Sequence, residues 1–363
     1  MDNPNTATTS SQALADKTKQ GVERLAKAYH PRTWKEKGLL WTAGLLLLTY
    51  AVIVVVLGIL WSITPSFFDV RENALEKAQN NEAKLVPGYV TTATAIRIAE
   101  TLLQKPGGYL SNDKTPPGVY LDNMPNWEFG VLTELRDTVR ALRNDFSRSQ
   151  TQSVEDRDLA VADPQFNFDS ESWILPSTEG EYQKGIKALY RYLERLADDK
   201  AFDGQFFTRA DNLAVYLEVV RKRLGSFTQR LASSVGHLRL NTNLAGDINA
   251  RQSTPTPQQQ WVQTPWLQID DVFYESRGYT WALLHMLQAL AIDFQPVLKD
   301  KNAQASLDQV IRELEAASAR MWFPIVLNGT GFSLLANHSL VMASYIASAN
   351  AAISDLVILL RQG

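Results

Sequence analysis

The sequence predicts a mainly α-helical protein, in which one N-terminal transmembrane helix is followed by a large helical-bundle ectodomain. Three observations carry this expectation. Residues 38–68 contain no charged side chain. Beyond them, apolar residues recur at three- and four-residue steps, the period of an amphipathic helix. Few segments alternate with period two, so strands should be rare.

The chain divides into a cytoplasmic tail (1–37), an anchor (38–63), a first helical part (64–235), a long loop (236–268) and a second helical part (269–363). Within the anchor, Leu39–Trp61 at about 1.5 Å per residue is long enough to cross roughly 30 Å of hydrocarbon. Trp34, Trp41, Tyr50 and Trp61 include aromatics near both ends, where amphipathic rings favour the headgroup level. Pro65 lies just beyond, where a helix can stop without losing a hydrogen bond inside lipid.

The flanks set the orientation. Lys17, Lys19, Arg24, Lys27, Arg32, Lys35 and Lys37 stand against Asp2, Asp16, Glu23 and Glu36 before the span, seven basic against four acidic. The far side opens near balance with Asp69, Arg71 and Glu72. Basic flanks stay in the cytoplasm, so residues 64–363 are expected on the other side. A cleaved signal peptide would have a shorter apolar stretch and a small-residue cleavage site. Ser62-Ile63-Thr64-Pro65 follows instead, and the expectation is an uncleaved anchor. Residues 1–11 read as a disordered polar tail. Residues 13–29 carry a weak basic amphipathic pattern, suited either to anionic headgroups or to a solvated tail.

The formal charge of the whole chain is -3. With a tail of +3, the ectodomain carries about -6, the wrong sign for a nucleic-acid surface. There is no cysteine, which excludes disulfides and thiolate metal sites and is compatible with a bacterial periplasm.

Four stripes define the ectodomain helices. They are Leu132, Leu135, Val139, Leu142 and Phe146; Tyr182, Ile186, Leu189, Leu193 and Leu196; Leu213, Tyr216, Leu217, Val220, Leu224, Phe227 and Leu231; and Leu307, Val310, Ile311, Leu314 and Met321. Arg136, Arg140 and Arg143 occupy another face of the first. Thr178 and Glu181 have capping-box spacing at the start of the second.

Three stretches interrupt the helices. Residues 105–126 are rich in Pro and Gly and read as a loop. Residues 150–176 are polar and acidic, with Phe166, Phe168 and Trp173 packing the segment back. Residues 236–265 form the longest loop, a natural boundary between two halves. Phe206, Ala210, Asp211, Asn212 and Val215 share their spacing with Phe332, Ala336, Asn337, His338 and Val341, a faint repeat that would make the halves similar. Residues 321–354 are again uncharged, and Ala343, Ala347 and Ala351 fall at small-xxx-small spacing. Interspersed Asn, Ser and Gly favour a buried helix of the bundle there over a second span.

Candidate chemistry is sparse. His237, His285 and His338 show no one-turn pair of the kind that binds zinc, and each reads as a packed or surface histidine. Ser111-Asn112-Asp113-Lys114 has the serine-x-x-lysine spacing of penicillin-recognising enzymes, but Pro116 and Pro117 oppose the helix that chemistry needs. Asn241-x-Asn243-x-Ala245-Gly246 lacks the acidic ligands of a calcium loop. Glu275-Ser276 resembles the glutamate-serine pair of lytic transglycosylases. An apolar pocket of Tyr274, Tyr279 and Trp281 would give Glu275 the surroundings of a general acid. The expectation is no cofactor and no metal, with glycan hydrolysis through Glu275 as the alternative function.

Several longer blocks resemble an uncharacterised bacterial family, domain of unknown function 2333. They are Gly107-Gly108-Tyr109-Leu110-Ser111-Asn112-Asp113, Asp122-Asn123-Met124-Pro125-Asn126-Trp127-Glu128-Phe129-Gly130, Ser253-Thr254-Pro255-Thr256-Pro257 and Ala336-Asn337-His338-Ser339-Leu340-Val341-Met342. The resemblance implies a Gram-negative inner-membrane protein and transfers no catalytic residue. The expected partners are the lipid bilayer and an envelope protein. Tyr109, Trp127, Trp173, Trp261 and Trp266 are the candidate contact surface, since loop aromatics often carry recognition.

Overall fold

A computed structural model describes residues 19–20, 23–24, 26–149, 154–198, 203–240, 259–321, 325–330 and 334–362. The expectations for residues 1–11, for most of 13–29, and for 241–246, 253–257 and Phe332 lie outside these. The chain forms two compact units, residues 1–59 and 60–363.

The first unit contains α1 (Pro31–Lys37) and most of α2 (Leu39–Trp61). The His30 side chain accepts from the Arg32 N–H at the start of α1, and Gly38, at φ 85°, ends it. A positive φ of this size is one glycine adopts without steric cost. None of the side chains of α2 is buried. It is long and apolar enough to cross a membrane.

The second unit is a helical bundle. Its helices are α3 (Val70–Lys77), α4 (Tyr89–Gln104), α5 (Asn123–Ala141), α6 (Leu159–Phe166), α7 (Thr178–Leu196), α8 (Ala210–Ala232), α9 (Ile269–Asp293), α10 (Gln295–Asp300), α11 (Gln304–Ala317) and α12 (His338–Arg361). The expected stripes face the core: all five positions of the first are buried, as are all five of the second and all seven of the third. The mainly α expectation is correct.

Helices α5 and α9 cross at the centre of the bundle, and two glycines set how closely. A Cβ on Gly130 would collide with the Glu275 carbonyl oxygen, and one on Gly278 with the Trp127 carbonyl oxygen. The two backbones touch because neither position carries a side chain. Helix α12 packs on α8 and α11, burying Met342, Ala343, Ile346, Ala349, Ile353, Leu356, Val357 and Leu360. These residues join one core cluster with those of α4 to α9. The apolar C-terminal helix therefore has protein against one face, and residues 236–268 do not separate two cores.

The details correct several local expectations. Helix α7 is capped by Ser177, whose side chain accepts from the Gly180 N–H. The Thr178 hydroxyl is engaged elsewhere, donating to the carbonyls of Asp169 and Ser172. The polar stretch after 150 contains α6 despite Pro164. The long loop closes at its base with an antiparallel pair, β1 (His237–Leu240) and β2 (Gln259–Val262), in which Leu238 faces Trp261.

Residues 105–126 are pinned by a buried ion pair. The Lys105 ammonium meets Glu128 at 2.5 Å, with both side chains buried. The N–H groups of Leu110 and Ser111 and the Ser111 hydroxyl all donate to the same carboxylate. This dense set of partners offsets the desolvation of a buried charge. Ser111, half of the serine-x-x-lysine spacing, is a structural donor here.

Candidate functional site

Helix α9 places Tyr274, Arg277 and Trp281 at steps of three and four, so they share one face. Opposite them run residues 62–67, the first after the apolar helix. Trp127 of α5 closes one wall, and Ser318, Arg320 and Met321, just past α11, close another. Together they enclose a cavity of about 590 Å³.

A histidine holds the exit segment against α9. The Phe68 N–H donates to His285 Nε2 at 3.2 Å, and Nδ1 lies 2.7 Å from the Trp281 carbonyl oxygen. Nε2 is thus the acceptor and Nδ1 carries the proton, the neutral tautomer. The Phe68 ring stacks on the imidazole at 4.0 Å. Burial lowers the His285 pKa to about 4, partly opposed by the Trp281 carbonyl. With no charge to solvate, the imidazole serves as a packed latch.

The cavity wall is positively charged. Arg277 is half-buried, and its guanidinium donates to two backbone oxygens, Ala319 O at 3.1 Å and Ser318 O at 3.5 Å. Among the described residues it pairs with no carboxylate, and burial lowers its pKa. Among the described residues, the buried indole N–H of Trp281 has no hydrogen-bond partner. Trp127 and Trp281 lie with ring centroids 5.3 Å apart. The cavity thus combines aromatic walls with the guanidinium groups of Arg277 and Arg320.

The expected contact residues divide. Tyr109 and Trp127 are buried, and Trp127 is only 1% exposed, so neither belongs to an outer contact surface. The Tyr109 hydroxyl donates to Ser170 O, and its ring packs edge-on against Tyr182. The Pro-Gly-rich loop folds inward around the Lys105–Glu128 pair and takes Tyr109 with it, while Trp127 sits at the α5–α9 crossing. Trp173, Trp261 and Trp266 remain 56%, 61% and 82% exposed.

Glu275 faces a different cleft, of about 270 Å³, beside Arg136, Asp137, Arg223 and Arg230. Arg230 donates to both carboxylate oxygens of Glu275, and Arg223 donates to both of Asp137 at 2.8 and 3.1 Å. Tyr279 is buried in the core and Trp281 lines the other cavity, and neither lines the cleft of Glu275. His237 opens β1, and the Leu327 N–H donates to His338 Nδ1.

Sequence reasoning missed Arg277, Arg320 and the pocket-forming role of residues 62–67. One signal was available: within the apolar run 272–292, only Glu275 and Arg277 are charged. The fold and cavity thus define a helical protein with a long apolar segment and a cationic aromatic pocket. The chain belongs to a bacterial family described as "uncharacterized protein conserved in bacteria" (DUF2333), whose model matches residues 34–363. No curated protein and no solved structure matches it.

Proposed function

We propose that this is a single-pass inner-membrane protein of the bacterial envelope, with its N-terminus in the cytoplasm and its helical domain in the periplasm. In this reading it serves as an interaction or scaffolding component. The observation that carries the reading is α2, a 23-residue uncharged helix without a single buried side chain. An apolar surface of that length is costly in water and is covered most simply by lipid. The basic tail before the helix supports the N-in orientation.

A docking role is supported by the apolar residues grouped on and after the β1–β2 pair. Leu238, Leu240, Trp261, Trp266 and Leu267 are each more than 60% exposed, and apolar patches of this kind mark protein contacts. The test has two arms. Carbonate extraction and protease accessibility in spheroplasts should leave the full chain in the membrane, with its C-terminal domain digestible from outside. Photo-crosslinking from positions 238 and 267 should capture one envelope protein, and Trp261→Ala with Trp266→Ala should abolish that product. A carbonate-soluble chain, or a domain reached only after lysis, would overturn the assignment.

A further inference from the structure

We propose that the cavity between residues 62–67 and helix α9 binds the phosphodiester headgroup of a membrane glycerophospholipid, with Arg277 as its principal donor.

The charge of the wall argues for an anion. Its described lining contains two guanidinium groups, Arg277 and Arg320, and no carboxylate. Arg277 gives one N–H from each terminal nitrogen to a peptide oxygen, which leaves further N–H groups on the guanidinium, and among the described residues no carboxylate pairs with its charge. Trp281 closes this wall with an almost fully buried ring. A partly buried charge without a carboxylate beside it is costly, and an oxyanion supplies the missing partner. The guanidinium fork suits two oxygens of one phosphate.

Size and lining argue for more than a bare anion. The cavity of about 590 Å³ falls in the range of small-molecule sites and has the liquid volume of roughly twenty water molecules. Ile63, Phe67, Trp127 and Met321 supply the apolar wall that glycerol carbons and the first acyl methylenes would cover. Six of the lining residues, 62–67, are the first after the apolar helix in the chain. A ligand drawn from the bilayer is therefore the natural source, and this step rests on the membrane reading above.

The test uses the full chain, purified in an uncharged maltoside detergent. Native mass spectra are recorded after adding dioleoylphosphatidylglycerol, dioleoylglycerol or inorganic phosphate. One phosphatidylglycerol should be retained per chain, while dioleoylglycerol and inorganic phosphate should not. Arg277→Gln should lower the retained fraction at least tenfold. Circular dichroism should show this variant as helical as the parent, with Arg277→Lys recovering part of the binding. Equal retention of dioleoylglycerol would reduce the site to an apolar groove and overturn the proposal. Equal occupancy by inorganic phosphate would overturn its lipid part, and retention unchanged in Arg277→Gln would overturn it altogether. Because the measurement is made in detergent, its failure is separate from that of the anchor, which carbonate extraction tests independently.

Discussion

The buried carboxyl of Glu134 gives the fold a pH dependence that one substitution should remove. Glu134 lies on α5 with no solvent access. One oxygen accepts from the Tyr216 hydroxyl at 2.5 Å and the Thr138 hydroxyl at 2.8 Å; the other has no partner among the described residues. Burial raises its pKa from 4.5 to about 7, against the pull of those two hydroxyls and with help from Asp137. The folded state therefore holds a proton that the unfolded chain has already lost. Its favourable contribution is fully present below pH 4.5 and disappears as pH rises through 7. At 1.36 kcal/mol per pH unit, the difference amounts to about 3 kcal/mol. Glu134→Gln cannot ionise, and any cost of its amide is independent of pH. Denaturant unfolding of the full chain in detergent at pH 4.5 and pH 8.5 should show the parent losing about 3 kcal/mol relative to the variant. Asp293, raised to about 6 mainly by burial, titrates in the same direction in both proteins and cancels in the comparison. Parallel curves for parent and variant would refute the reasoning.

Four further outcomes follow from the same structure. His285, lowered to about 4, should act with the opposite sign: its contribution is present above pH 6.5 and lost as pH falls towards 4, by about 3 kcal/mol, and a His285→Leu variant should lack this acid loss. Glu128→Gln leaves the Lys105 ammonium buried without its carboxylate; unfolding measurements should show a loss of about 3–5 kcal/mol, with faster amide exchange at Leu110 and Ser111. Gly278→Ala forces a methyl against the Trp127 carbonyl oxygen, and thermal unfolding should report a loss of about 3 kcal/mol. Glu275→Gln breaks the bidentate pair with Arg230 and should cost about 1–3 kcal/mol; if the parent instead releases fragments from peptidoglycan and this variant does not, the scaffold reading fails.

Much of the architecture was legible in the sequence because it depends on local rules. An uncharged run needs only its length to suggest a span, and stripes such as Leu213 to Leu231 follow from the helical period alone. The histidines and Glu275 could be singled out by type, yet their roles could not. His285 becomes a neutral latch only because Phe68, 217 positions away in the chain, donates to it. Glu275 is tied to Arg230 by the packing of α8 beside α9. Small local choices also escaped: Ser177 takes the cap that the Thr178–Glu181 spacing assigns to Thr178, because tertiary contacts claim the Thr178 hydroxyl.

What the sequence by itself determined is the apolar helix, the mainly α class and the family, all properties of consecutive residues or of a short period. Which aromatics lie inside was decided only by the tertiary structure. Tyr109, Trp127, Trp173, Trp261 and Trp266 look alike in composition, but two are buried and three stand in solvent. The pocket is likewise a product of four distant segments, residues 62–67, Trp127, 274–281 and 318–321. Burial and convergence depend on long-range packing, in which two glycines let α5 and α9 touch and set the walls that surround Arg277.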